Sequence, residues 1–180
     1  DVLLLGLLTS PVQVAYYTVA KKLAYAVLTL TDPLVSSIYP QLSKLVAERK
    51  FPEVRLMIRK ISSFALLPAG VMFAVLYFIN GWLVTTFYGH EFLAASDSFM
   101  YFFFAALLGA ATFWTLPLVQ SLGLVRMRVI GYVVTILSGV SVSLVLIPQL
   151  QAEGMAIALM TTNVLNATIF IYFSFRQMQR

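Results

Sequence analysis

Val129–Ala152 reads VIGYVVTILSGVSVSLVLIPQLQA, and after Glu153 the chain runs GMAIALMTTNVLNATIFIYFSF from Gly154 to Phe175. Neither stretch carries a charge. Each is long enough to cross a hydrocarbon layer as a helix at about 1.5 Å per residue. The same test finds Ile61–Gly89 and Ser98–Val125, both free of charged residues. A less clean stretch, roughly residues 14 to 42, holds Lys21, Lys22 and Asp32. The reading is therefore an all-α integral membrane protein, a single transmembrane domain over residues 1–180.

Composition agrees. Hydrophobic residues make up 61% and charged residues 11% of the 180, and mean hydropathy is +0.91. A soluble domain has about 45–50% apolar and about 25% charged residues. An ordinary soluble globule, a disordered tail and a fibrous chain are excluded. With no cysteine, disulfides, thiolate metal sites and cysteine nucleophiles are excluded as well.

The expected spans are 1–10 (partial), 14–42, 61–87, 98–119, 129–148 and 154–175. The chain opens with Asp1 and the apolar run Val2–Leu8, too short to span and lacking the basic start of a signal peptide. It reads as the tail of a truncated first helix, which makes a lobe of six helices. Ser10-Pro11, Gly89-His90-Glu91, Gly123 to Arg128 and Pro148 to Gly154 separate the spans. Pro68 and Pro117 sit inside spans, where membrane helices accommodate kinks.

Charge placement orients the bundle. Lys44, Arg49, Lys50, Arg55, Arg59 and Lys60 share one connection. Arg126 and Arg128 lie two spans later, and Arg176 and Arg180 two spans after that. The connections around His90 and Glu153 hold no Lys or Arg. Ten of the twelve basic residues thus fall on one side, which the positive-inside rule makes cytoplasmic, C-terminus included. Residues 43–60 are expected as a cytoplasmic basic amphipathic connection. There Leu45, Val46, Leu56, Ile58 and Ile61 alternate with the charges, as in an interfacial helix facing anionic membrane lipids. A plain topology anchor is compatible with the same pattern.

No catalytic constellation is visible. His90 is the only histidine and Glu91 its only carboxylate neighbour, whereas a metal needs three or four ligands. There is no Gly-rich phosphate loop and no GxSxG elbow. Neither a cofactor, a metal nor nucleic acid is expected as a ligand.

The second span carries the informative anomaly. Tyr17, Lys21, Tyr25, Leu28, Asp32, Ser36 and Tyr39 recur at intervals of three or four, so they share one helical face. Lys21 and Asp32 lie roughly 16 Å apart along such an axis. An Asp near the bilayer centre costs about 2.5–3.5 kcal/mol on insertion scales, so the stripe should face a polar cavity or another helix. Lys21, Lys22, Tyr25 and Asp32 are therefore the candidate cavity residues. Two plainer readings stand beside this one: the lysines snorkel to an interface, and Asp32, before Pro33, stabilises a kink. Tyr17, Asn163 and Asn166 are secondary candidates. Interhelical hydrogen bonds at about 0.6 kcal/mol each account for most other polar residues in spans. Ala105, Gly109, Ala110 and Ser138-Gly139 mark close helix packing.

Several runs together resemble a known family. Asp1-Val-Leu-Leu-Leu-Gly6, Val14-Ala15-Tyr16-Tyr17-Thr18-Val19-Ala20 and Tyr39-Pro40-Gln41-Leu42-Ser43 resemble polysaccharide and O-antigen flippases. These belong to the multidrug/oligosaccharidyl-lipid/polysaccharide exporter (MOP) superfamily. Phe87-Tyr88-Gly89 with Phe92 and Ala95 is similar to a loop of that family, and Gly154 to Ala158 to the entry of a late helix. Met155-Ala156 stands where Val-Gly is commoner.

The resemblance implies a two-lobe MATE/MOP-like transporter of which this chain is the C-terminal lobe, with the N-terminal lobe missing. It further implies alternating access that moves lipid-linked oligosaccharide across the bacterial inner membrane. A cationic cavity would match the pyrophosphate linkage, with Lys21 and Lys22 as its basic residues. Two rivals remain open. One is a multidrug or cation antiporter of the same superfamily, with Asp32 as the coupling site. The other is a bundle that anchors a membrane enzyme or scaffold.

Overall fold

A computed structural model of the chain describes the backbone of residues 1–28 and 32–179, with side chains for 1–25 and 37–179. Among the described residues seven α-helices follow in order: α1 (Val2–Leu8), α2 (Pro11–Leu28), α3 (Asp32–Ala47), α4 (Phe51–Tyr88), α5 (Ala95–Thr112), α6 (Thr115–Ser121) and α7 (Val125–Gln177). A 3-10 turn, His90–Phe92, joins α4 to α5. Among the described residues there is no strand. The fold is all-α and of the membrane type.

Local chemistry sets the ends. Asp1 caps α1 by accepting from the Val2 amide at 2.6 Å. Pro11 opens α2, where its missing N–H costs nothing. The turn from α3 to α4 closes with Arg49 in the left-handed region (φ 54). There the Lys50 amide donates to Leu45 O and the Arg49 amide to Val46 O, a Schellman closure. Gly123 (φ 68) repeats it after α6, with the Leu124 amide reaching Val119 O. Glu48 and Lys50 pair at 2.7 Å across the first of these turns. The Lys50 hydrogen bond, then its charge, holds the Glu48 carboxyl below its ordinary value.

Among the described residues three helical segments are long and apolar enough to cross a membrane: Phe51–Tyr88, Ala95–Ser121 and Val125–Gln177. The 38 residues of α4 extend about 57 Å, well beyond a hydrocarbon core of about 30 Å. Residues 51–60 of the basic connection form its first turns. The segment 95–121 bends between α5 and α6, where Phe113 and Trp114 precede Pro117. There the Trp114 indole donates to Ser62 Oγ at 2.7 Å and to Ala111 O at 3.0 Å, fixing the bend against α4.

α7 is a hairpin in disguise. Its 53 residues would run about 80 Å if straight. At Gln151, however, the backbone leaves the helical region (φ 52, ψ −122), and the two arms fold back on each other. The Tyr132 and Phe170 rings meet edge to face at 5.4 Å. Asn166 Nδ2 donates to Thr135 Oγ1 at 3.3 Å. Gly139 abuts Thr162, and Ser143 Oγ donates to Met155 Sδ at 3.4 Å. A β-carbon on Gly154 would stand 2.4 Å from Leu146 O, so only glycine allows the arms to meet this close to the bend.

Among the described residues the two larger buried clusters hold the bundle. Leu5, Tyr17, Ala24, Phe99, Phe102 and Met155 join α1, α2, α5 and α7. Leu42, Val54, Ile58, Trp114, Leu118 and Met178 join the ends of α3, α6 and α7 to the start of α4. Ser43 Oγ lies 2.9 Å from Ser121 Oγ at this second cluster. Leu124 and Met127 share a small hollow with Phe173 and Arg176. The basic connections therefore gather at one end of the bundle. At the other end Val19, Val84 and Ala95 pack together. Burial, and then the nearby Asp97 charge, pushes the Glu153 carboxyl above its ordinary value there.

The outer face is apolar. Leu67, Phe78 and Trp82 on α4 are 73%, 84% and 65% exposed, and Ile136 and Leu137 on α7 are 60% and 63%. Water would penalise such a surface; lipid does not.

Candidate functional site

A cleft of about 530 Å³ opens between α2, α5, α6 and the second arm of α7. Each wall follows from helical spacing. On α5, Phe102, Ala105, Ala106, Gly109 and Thr112 recur every three or four residues, and the small ones leave the space. Ala24 and Tyr25 form the α2 wall, while Asn163, Asn166 and Ala167 line α7. Tyr25 is 50% exposed, so the cleft is open to one side.

Its polar groups are hydrogen-bonding ones. Thr112 Oγ1 donates to Leu108 O at 2.8 Å, Thr115 Oγ1 to Thr112 O at 2.7 Å and Thr168 Oγ1 to Val164 O at 2.8 Å. Their hydrogens are thus engaged, and the oxygens remain as acceptors. Asn166 gives one of its hydrogens to Thr135. Asn163 and the Tyr25 hydroxyl have no hydrogen-bond partner among the described residues. The cleft therefore offers donors and acceptors together with an aromatic edge, a combination that suits a hydroxyl-rich ligand.

The spacing of four between Tyr17, Lys21 and Tyr25 is realised as one face. The Lys21 ammonium lies 5.8 Å from the Tyr17 ring centroid and 5.7 Å from that of Tyr25. Both fall within cation–π range. Tyr17 itself is fully buried, packed edge to face on Phe102 at 5.1 Å. Lys22, one position on, is exposed and makes no ion pair among the described residues. Asp32 lies outside the residues whose side chains are described, as do Leu28 and Ser36 of the same stripe. Tyr39 is exposed on α3.

Of the candidates, Tyr25, Asn163 and Asn166 line one cleft. Lys21 flanks its α2 wall through Tyr25, whereas Tyr17 is a core residue buried behind Phe102 rather than a lining residue. One charged partner escaped the sequence reading. Asp1 forms an ion pair with Lys21 through Oδ2, and the same oxygen accepts from the Tyr17 hydroxyl at 2.7 Å. The available signal was that an Asp entering an apolar run needs a partner, and the only basic residues in the neighbouring span are Lys21 and Lys22. Among the described residues no three His, Cys, Asp or Glu side chains gather as a metal would require.

A family model described as "Polysaccharide biosynthesis protein" matches residues 1–97. The match covers α1 to α4, the 3-10 turn and the first turn of α5, and includes Asp1, Tyr17, Lys21 and Tyr25. No curated protein and no solved structure matches the chain.

Proposed function

The chain belongs to the polysaccharide biosynthesis protein family, and on that premise we propose that it is part of a transporter rather than an enzyme. Its cargo in this reading is a lipid-linked oligosaccharide or polysaccharide unit, flipped across the bacterial inner membrane by alternating access. The C-terminus and the basic end of the bundle are cytoplasmic.

The observation that carries the reading is the cleft. Its volume lies in the usual range for ligand sites, about 300–1,000 Å³. Tyr25, Asn163 and Asn166 offer hydroxyl and amide groups to sugar hydroxyls. Lys21 and Lys22 supply positive charge one turn along α2, suited to a phosphate linkage. The open side of the cleft suits a second lobe of the transporter, and the exposed apolar faces suit membrane lipids and the ligand's lipid tail.

The test is a deletion strain complemented with the native protein or with Asn163→Leu. Loss of surface polysaccharide in the deletion strain, with lipid-linked precursor accumulating on the cytoplasmic leaflet, restored by the native protein and only weakly by Asn163→Leu, is the expected result. Normal surface polysaccharide in the deletion strain overturns it.

A further inference from the structure

Lys21 is not a free cation. Its ammonium pairs with Asp1 at the start of α1, and the Tyr17 hydroxyl holds the same carboxylate oxygen at 2.7 Å. The same ammonium lies 5.7 Å from the ring centroid of Tyr25, which forms part of the cleft wall. The ammonium thus pairs with a carboxylate and also lies near a ring of the cleft wall. The two side chains are 28% and 24% exposed, so the pair can be reached from outside. A lysine stem is flexible and can exchange one oxyanion for another.

We propose that Asp1 is the resident counterion of Lys21, steadied by Tyr17, and that a phosphate-bearing ligand displaces the carboxylate to reach the ammonium. Resting on the transport reading above, this makes Asp1 a residue that sets how strongly the site takes anions. The carboxylate competes directly with phosphate oxygens, because both are acceptors for the same N–H groups. It also cancels most of the Lys21 charge while the site is empty, which weakens capture of small anions from solution. Asp1 need not touch the ligand: it acts through Lys21, as a positioning residue.

The amide of Asp1→Asn still accepts from the Tyr17 hydroxyl but no longer neutralises Lys21. The native protein, purified in detergent, is titrated with inorganic pyrophosphate at fixed low salt. Asp1→Asn should bind it about tenfold more tightly than the unaltered protein, a factor discounted for the solvent reaching the pair. The gain should disappear in Asp1→Asn/Lys21→Gln and survive in Asp1→Asn/Lys22→Gln. Tyr17→Phe frees the carboxylate without removing it and should give a smaller gain, about twofold to threefold. It serves as the second reading where Asp1→Asn fails to fold.

Unchanged or weaker binding in the single variants overturns the counterion role, as does a gain that persists without Lys21. Absence of pyrophosphate binding in every variant overturns it too. Surface polysaccharide in cells is scored separately. A protein that exports normally but ignores pyrophosphate refutes the counterion role alone. One that binds as expected yet is dispensable for export refutes the transport reading alone.

Discussion

Gly139 stands opposite Thr162 across the two arms of α7, so close that a β-carbon on the glycine would lie 2.6 Å from the threonine Oγ1. The pair belongs to a regular antiparallel series with Gly131 against Phe170 and Thr135 against Asn166. That register centres the hairpin on the bend at Gln151. Small residues let two membrane helices approach when hydrophobic association contributes nothing between them.

Gly139 and Gly154 of the hairpin should differ in how they tolerate a methyl group. At Gly139 the obstacle is a side chain, so Gly139→Ala should cost about 1–3 kcal/mol. Adding Thr162→Ala should recover most of it. At Gly154 the obstacle is the Leu146 carbonyl, 2.4 Å away, and no side-chain change relieves it. Gly154→Ala should therefore be the worse variant and resist rescue. Thermal unfolding in detergent reads both; equal, rescuable losses would contradict the hairpin geometry.

The asparagines of the cleft should separate by role. Asn163 has no protein partner among the described residues, so Asn163→Leu should lower surface polysaccharide several-fold at unchanged membrane abundance. Asn166 also bonds Thr135 across the hairpin, so Asn166→Leu should add a stability loss of about 0.6 kcal/mol. Quantifying polysaccharide and protein in the same cells distinguishes the two. Wild-type polysaccharide from both variants would remove the cleft from the transport path.

Glu153 gives a pH dependence of known sign. Burial, with Asp97 second, raises its folded-state pKa above the ordinary 4.5. Its charge therefore costs stability above the folded pKa. The cost fades as pH falls through that value and is gone below the ordinary one. Glu153→Gln should melt at a higher temperature than the unaltered protein at neutral pH, with the difference vanishing below about pH 4.5. Asp97→Asn should reproduce only part of the gain, since burial is the larger cause. Melting curves from pH 4 to 8 test both; a destabilised Glu153→Gln at neutral pH would reverse the sign.

Topology is open to a direct check. A reporter fused after Lys50 or after Arg176 should register as cytoplasmic, and one near Phe92 as external. An external signal after Lys50 would invert the arrangement.

Much of this was written in the sequence, and the reason is local. Absence of charge over Val129–Ala152 and Gly154–Phe175 identifies the solvent as lipid, because an ionised side chain there has no water to hold it. The placing of ten of the twelve Arg and Lys residues on alternate connections groups them at one end, where the Schellman turns at Arg49 and Gly123 now lie. The fourfold spacing of Tyr17, Lys21 and Tyr25 already placed them on one face, since helical periodicity needs no neighbour to hold. Three-dimensional packing decided the rest. Asp1 meets Lys21 only because α1 folds against α2, and Tyr25 and Asn163 line one cleft only because the small residues of α5 leave room between α2 and α7. Periodicity tells which side chains share a helix face, but which faces meet is fixed by shape and by pairing charge between distant segments. No local pattern in the chain encodes that choice.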